Sequence, residues 1–158
     1  MGLATLADQH RPVNILLIED NYGDILLAKE AFSGASLAHN IYVASDGEQA
    51  LEMLRKEGRY ANLPTPDMIL LDLNLPKKDG HQVLEEIKQD EALRCIPVAI
   101  LSSSRAENDV EKSYQLHANS YIVKPPTLDS FTNVIRALEN FWFTMVIMPD
   151  PKALATCH

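Results

Sequence analysis

A run of four apolar residues, Met68-Ile69-Leu70-Leu71, ends on a single carboxylate, Asp72. A punctuated loop follows it, Leu73-Asn74-Leu75-Pro76-Lys77-Lys78-Asp79-Gly80. Ile and Leu without polar alternation require cover on both faces, the environment of a central strand in a parallel sheet. In open α/β sheets the ligand crevice lies at the carboxyl ends of such strands. Asp72 is therefore expected at the mouth of a crevice, with Pro76 and Gly80 turning the chain into the next helix.

The same logic extends along the chain. Val13 to Ile18 reads as a buried strand stopped by Glu19-Asp20-Asn21, and Asp24 as the cap of a helix with Ile25, Leu26, Ala28 and Phe32 inward, ending near Gly34. Ile41 and Val43 mark a second strand, and Asp46-Gly47 turns into a helix around Ala50, Leu51 and Leu54. After the strand ending at Asp72, Val83, Leu84 and Ile87 form the inner face of a third helix. Ile96 to Leu101 is a fourth strand ending on Ser102-Ser103-Ser104, and Glu107 to Leu116 an amphipathic helix. Ser120 to Val123 is a fifth strand ending at Lys124-Pro125-Pro126. Thr127 caps a last helix whose stripe is Leu128, Phe131, Ile135, Leu138 and Trp142. Five strands alternating with helices predict an α/β fold, a doubly wound five-stranded parallel sheet with helices on both faces. Periodicity leaves the strand order open.

At 158 residues the chain suffices for one core. Its expected division is a flexible lead-in (1–12), a domain (13–143) and a C-terminal extension (144–158). A net charge of -8 opposes a nucleic-acid surface, which needs a basic stripe. Cys95 and Cys157 make neither a disulfide framework nor a CxxC, which fits a reducing cytoplasm. The Cys157-His158 pair is too small a donor set for a metal. His10, His39, His81 and His117 show no ligand spacing. The N-terminus lacks a signal peptide's basic start and apolar core, and Leu6 breaks the myristoylation pattern. No apolar stretch reaches the length of a membrane span, so no membrane association is expected.

Glu19-Asp20, Asp72, Ser102 and Lys124 all fall at strand ends. In neighbouring parallel strands they share one crevice, where three carboxylates repel one another unless a hard divalent cation joins them. Mg²⁺ suits that donor set, and a lysine and a hydroxyl beside it can hold the oxygens of a phosphoryl group. Asp72 is then the nucleophile that forms an aspartyl phosphate. Each residue also has a plainer reading. A strand-end Asp caps turns, the Ser triplet caps a helix through Ser104, Lys124 is a surface lysine, and Tyr121 an ordinary half-buried edge aromatic.

Taken together, these residues resemble the receiver domain of two-component response regulators, of the single-domain chemotaxis-regulator type, with a flavodoxin-like fold. The resemblance runs from Val13 to Trp142. It implies that Asp72 is the phosphoacceptor, that Asp20 ligates Mg²⁺ directly, and that Glu19 acts mainly through metal-bound water. It further implies that Asn74 lends its backbone carbonyl to the metal, that Ser102 and Tyr121 form the switch, and that Lys124 pairs with the phosphoryl group. The Lys124–Pro125 bond is expected to be cis. Departures are small: Glu19 for Asp, Ser102 for Thr, Pro126 for Phe, and an extra loop from Gly58 to Pro66.

The long loop, the Lys-Lys-Asp-Gly segment and the Phe-Trp pair are similar to response regulators partnered with cyanobacterial phytochromes. The resemblance implies a sensor histidine kinase as donor and signalling through phosphorylation-dependent contact with a downstream protein. Phe143 and Ile147 fall off the stripe of the last helix, so a homodimer through that helix and the extension is expected. A phosphatase of the haloacid dehalogenase type is the alternative, but it needs a second Asp where Asn74 stands. A flavodoxin-like FMN site is opposed by Glu19-Asp20, which would repel the phosphate.

Overall fold

Strands and helices alternate: β1 (Val13–Ile18), α1 (Tyr22–Ser33), β2 (His39–Ala44), α2 (Gly47–Leu54), a 3-10 turn (Gly58–Tyr60), β3 (Met68–Leu71), α3 (Gly80–Gln89), β4 (Val98–Ser102), α4 (Glu107–Gln115), β5 (Ser120–Val123) and α5 (Leu128–Thr144). The structure is a computed structural model that describes residues 5–6, 11–34 and 38–147. The five strands form one parallel sheet in the order β2-β1-β3-β4-β5.

The apolar runs supply both faces of this sheet. Leu16, Ile18, Ile69, Leu71, Val98 and Ile100 pack with Leu51 and Leu54 of α2 and Val83, Leu84 and Ile87 of α3. Their alternates Val13, Ile15, Leu17, Met68, Leu70 and Leu101 pack with Ala28 and Phe32 of α1 and Phe131 and Ile135 of α5. Each large aliphatic side chain so buried contributes about 2 kcal/mol relative to exposure. At the amino end of β3, buried Asp67 is held by Arg11 at 2.6 Å and by the Asn14 N–H at 2.8 Å.

Capping follows local chemistry. Asp46 accepts from the Gln49 N–H, Thr127 from the Ser130 N–H, and Asp79 forms a reciprocal capping box with Gln82. The cap of α1 is Asn21 instead of Asp24. Asn21 is extended and its side chain accepts from the Asp24 N–H, which leaves Asp24 in the first turn. Strand β4 begins at Val98, two residues later than expected. Pro97 has no N–H for the ladder, though its carbonyl accepts from Ile69. Ser104 does not cap α4, whose Ncap is Ala106; it accepts from the Ala106 N–H and donates to Asp109.

Three further expectations are corrected. No peptide bond among the described residues is cis, so Lys124–Pro125 is trans, the isomer an X–Pro bond favours by about 0.5–1 kcal/mol. Phe143 is fully buried, because the last turns of α5 carry it into the α1/α5 cluster together with Leu6. Cys95 is disulfide-bonded, not an unlinked thiol. Leu6 belongs to the segment read as a flexible lead-in, and its neighbour Thr5 forms an antiparallel bridge with Ile147. The Cys157-His158 pair and His10 lie outside the described residues.

Candidate active site

The register brings the strand ends together. Ile18 pairs with Leu71, so Glu19 and Asp72 leave adjacent strands side by side. The chain passes from β1 outward to β2 and then back across to β3, so this pair flanks the point where the strand order reverses. On the other side of β3, Ser102 pairs with Val123, and the Lys124 N–H donates to the Ser102 carbonyl at 2.8 Å.

Glu19, Asp20 and Asp72 each present a carboxylate oxygen, and the three lie within 4.8 Å of one another. Glu19 and Asp72 are buried while Asp20 is exposed, so the cluster opens to solvent on one side. Three hard oxygen donors at this spacing, with one open side, fit a divalent cation that retains several waters. Among the described residues the positive charge facing them is Lys124. Its Nζ donates to Glu19 at 2.5 Å and to Asp24 at 2.9 Å, and stands 3.5 Å from Asp72 Oδ2 as a longer ion pair.

Burial and partners shift both ends of this contact. Burial pushes the Glu19 carboxyl up to about 7, and the Asp72 charge adds to the rise; hydrogen bonds from Lys124 and the Asn21 N–H oppose it. For Lys124, burial alone would lower the value. Hydrogen bonds to Glu19 and Asp24, with the charges of Asp72 and Glu19, outweigh burial and raise it above the ordinary lysine range. Lys124 therefore stays charged, and it neutralises part of a site that would otherwise hold mutually repelling carboxylates.

The remaining expected residues surround this core. The Asn74 N–H lies 3.4 Å from Asp72 Oδ1, which folds the start of the loop over the carboxylate. Ser102 is fully buried, and its hydroxyl accepts from the Ser104 N–H at 3.2 Å. Half-buried Tyr121 donates its hydroxyl to the Ser104 carbonyl at 2.9 Å. Tyr121 thus contacts the residue that also holds the Ser102 hydroxyl. Asp24 is the member that sequence reasoning missed; it was legible only as a helix-start residue.

This geometry, a strand-end carboxylate flanked by two acids, a buried hydroxyl and an inward lysine on a five-stranded parallel sheet, defines a class. The response regulator receiver domain family matches residues 15–136, and the chain belongs to that family. Within it, the response regulator Rcp1 of Synechocystis sp. is 41% identical over 145 residues, covering 91% of this chain and 99% of Rcp1. The structure of the phosphorylated cyanobacterial phytochrome response regulator RcpA superimposes with a TM-score of 0.86 at 45% identity, covering 89% of this chain and 100% of that one. The Mn²⁺-bound form of Rcp1 gives 0.84 at 42% identity, covering 88% and 100%. The chain is a response regulator receiver closely related to phytochrome response regulators, and these comparisons lend no support to the haloacid dehalogenase alternative.

Proposed function

We propose that Asp72 is the residue on which this receiver accepts a phosphoryl group, with a sensor histidine kinase of the phytochrome type as donor. The observation that carries this reading is the convergence of Lys124 on Glu19 and Asp72 beside a three-carboxylate cluster. Asp20, Asp72 and the Asn74 carbonyl would hold Mg²⁺, with Glu19 beside them, and the cation supplies positive charge for the oxygens of the transferring group. An Asp72 oxygen attacks phosphorus as the bond to the donor imidazole nitrogen breaks. Lys124 stays protonated and pairs with the added negative charge. The Ser102 hydroxyl turns to donate to a phosphoryl oxygen, and Tyr121 follows because Ser104 joins the two. Attack of water on the aspartyl phosphate returns the resting state, so the domain catalyses only its own phosphorylation and dephosphorylation.

The phosphorylated form shifts a pre-existing equilibrium on the Ser102–Tyr121 face and thereby changes affinity for a downstream protein in the cytoplasm. A second copy of the chain is assigned to the end of α5, where Phe141, Met145 and Ile147 are exposed. Similarity to Rcp1 and RcpA supports the kinase assignment. The test is phosphoryl transfer from a purified phytochrome kinase with and without Mg²⁺, using Asp72→Asn as the control. Label is expected on the wild type only, and only with Mg²⁺. Equal labelling of Asp72→Asn would remove Asp72 from the role.

A further inference from the structure

The strand-end pattern does not account for Asp24. It stands in the first turn of α1, and its carboxylate accepts a hydrogen bond from Lys124 Nζ at 2.9 Å. An ammonium group has three hydrogens. Lys124 directs its contacts at Glu19 (2.5 Å), Asp24 (2.9 Å) and Asp72 (3.5 Å). The contact with Asp72 is the longest, outside the usual hydrogen-bond range. The Asp24 side chain is 33% exposed and that of Lys124 only 10%, so Asp24 pulls the ammonium toward the rim of the site. The two also line an open cavity of about 480 Å³ with Leu27, Arg105, Pro125 and Phe131, so the Asp24 side of the lysine faces solvent-accessible space.

The geometry points to Asp24 as a positioning residue that holds Lys124 on the α1 side and competes for it with the group carried by Asp72. The inference rests on Asp72 being the phosphoacceptor. A phosphoryl group there adds negative oxygens on the side where the Lys124 contact is now weakest. To close on them, Nζ must lengthen or release its bond to Asp24. Asp24 thereby favours the unphosphorylated state and sets how readily the site commits its lysine. An Asn at this position keeps the shape and an acceptor for the ammonium but loses the ion pair, so Lys124 is held less firmly on the α1 side.

The test uses beryllofluoride with saturating Mg²⁺ as the phosphoryl mimic, titrated calorimetrically into the full chain. Proteins compared are wild type, Asp24→Asn, Asp24→Ala, Lys124→Gln and the Asp24→Asn/Lys124→Gln double variant, with Asp72→Asn as blank and melting curves confirming folding. Asp24→Asn is expected to bind about fivefold more tightly, Asp24→Ala more tightly still, and Asp24→Asn to add nothing on the Lys124→Gln background. An equal gain on that background would show that Asp24 acts only as a nearby negative charge, and would overturn the inference. Unchanged or weaker binding by Asp24→Asn would overturn it too. If the wild type behaves like Asp72→Asn, the phosphoacceptor reading itself fails, and this inference with it.

Discussion

Lys88 and Lys124 are both substantially buried, yet they titrate in opposite directions because their ammonium groups meet different partners. Lys124 faces carboxylates. Lys88 donates to the carbonyls of Arg94 and Ile96 at 2.9 and 3.0 Å, and burial lowers it to about 8. An unfolded chain keeps that proton up to the ordinary value of 10.5. Between these values the unfolded state binds more protons, so the Lys88 contribution to stability rises with pH. The difference in urea unfolding free energy between wild type and Lys88→Met should therefore grow in favour of wild type from about pH 8 upward. Parallel profiles would refute the assignment. At this scale Glu19, Asp72, Ser102 and Lys124 were legible because each follows a continuous apolar run. The tie between Asp24 and Lys124 was not, because it joins residues 100 positions apart and depends on how α1 is oriented on the sheet.

The loop between β3 and α3 shows how an element can constrain a site without touching its chemistry. Gly80 starts α3, and a Cβ there would lie 2.5 Å from the Asp72 carbonyl oxygen and 2.5 Å from Leu73 Cα. Both are backbone atoms of the segment that carries Asp72, so neither can move aside alone. Gly80→Ala should cost about 2 kcal/mol in chemical denaturation, the scale of an overpacked core. It should also slow phosphoryl transfer to Asp72 beyond what a comparable loss of stability causes elsewhere. A variant with wild-type transfer would show that the loop yields freely. Most elements were legible from periodicity and turn residues, including the Thr127 cap. The contacts of α4 were harder to read. Its buried residue is Ser113, whose hydroxyl meets His81 at 3.1 Å, so a polar tie to α3 supplements a thin apolar stripe.

For the whole molecule, the alternation of runs and helices identified the fold class, whereas strand order came only with the structure, since every order has the same periodicity. The end of α5 was misread in one detail. Phe143 faces the core, and the exposed apolar residues are Phe141, one helical turn later Met145, and Ile147. A dimer built on that face predicts that Phe141→Glu lowers self-association in sedimentation velocity while leaving the melting curve of the monomer intact. Wild type that stays monomeric across the accessible concentration range would exclude this face as a dimer contact. The bridge between Thr5 and Ile147 carries a different consequence, for how the chain can be rewired. Because these positions lie against each other, a short linker could join them and new termini could be opened between Ala61 and Asn62, both exposed. Such a circular permutant, made with Cys95→Ser because Cys157 lies beyond the joined span, should keep its far-ultraviolet spectrum and its response to beryllofluoride. The connectivity of the polypeptide would then be separable from the arrangement of strand ends on which the chemistry depends.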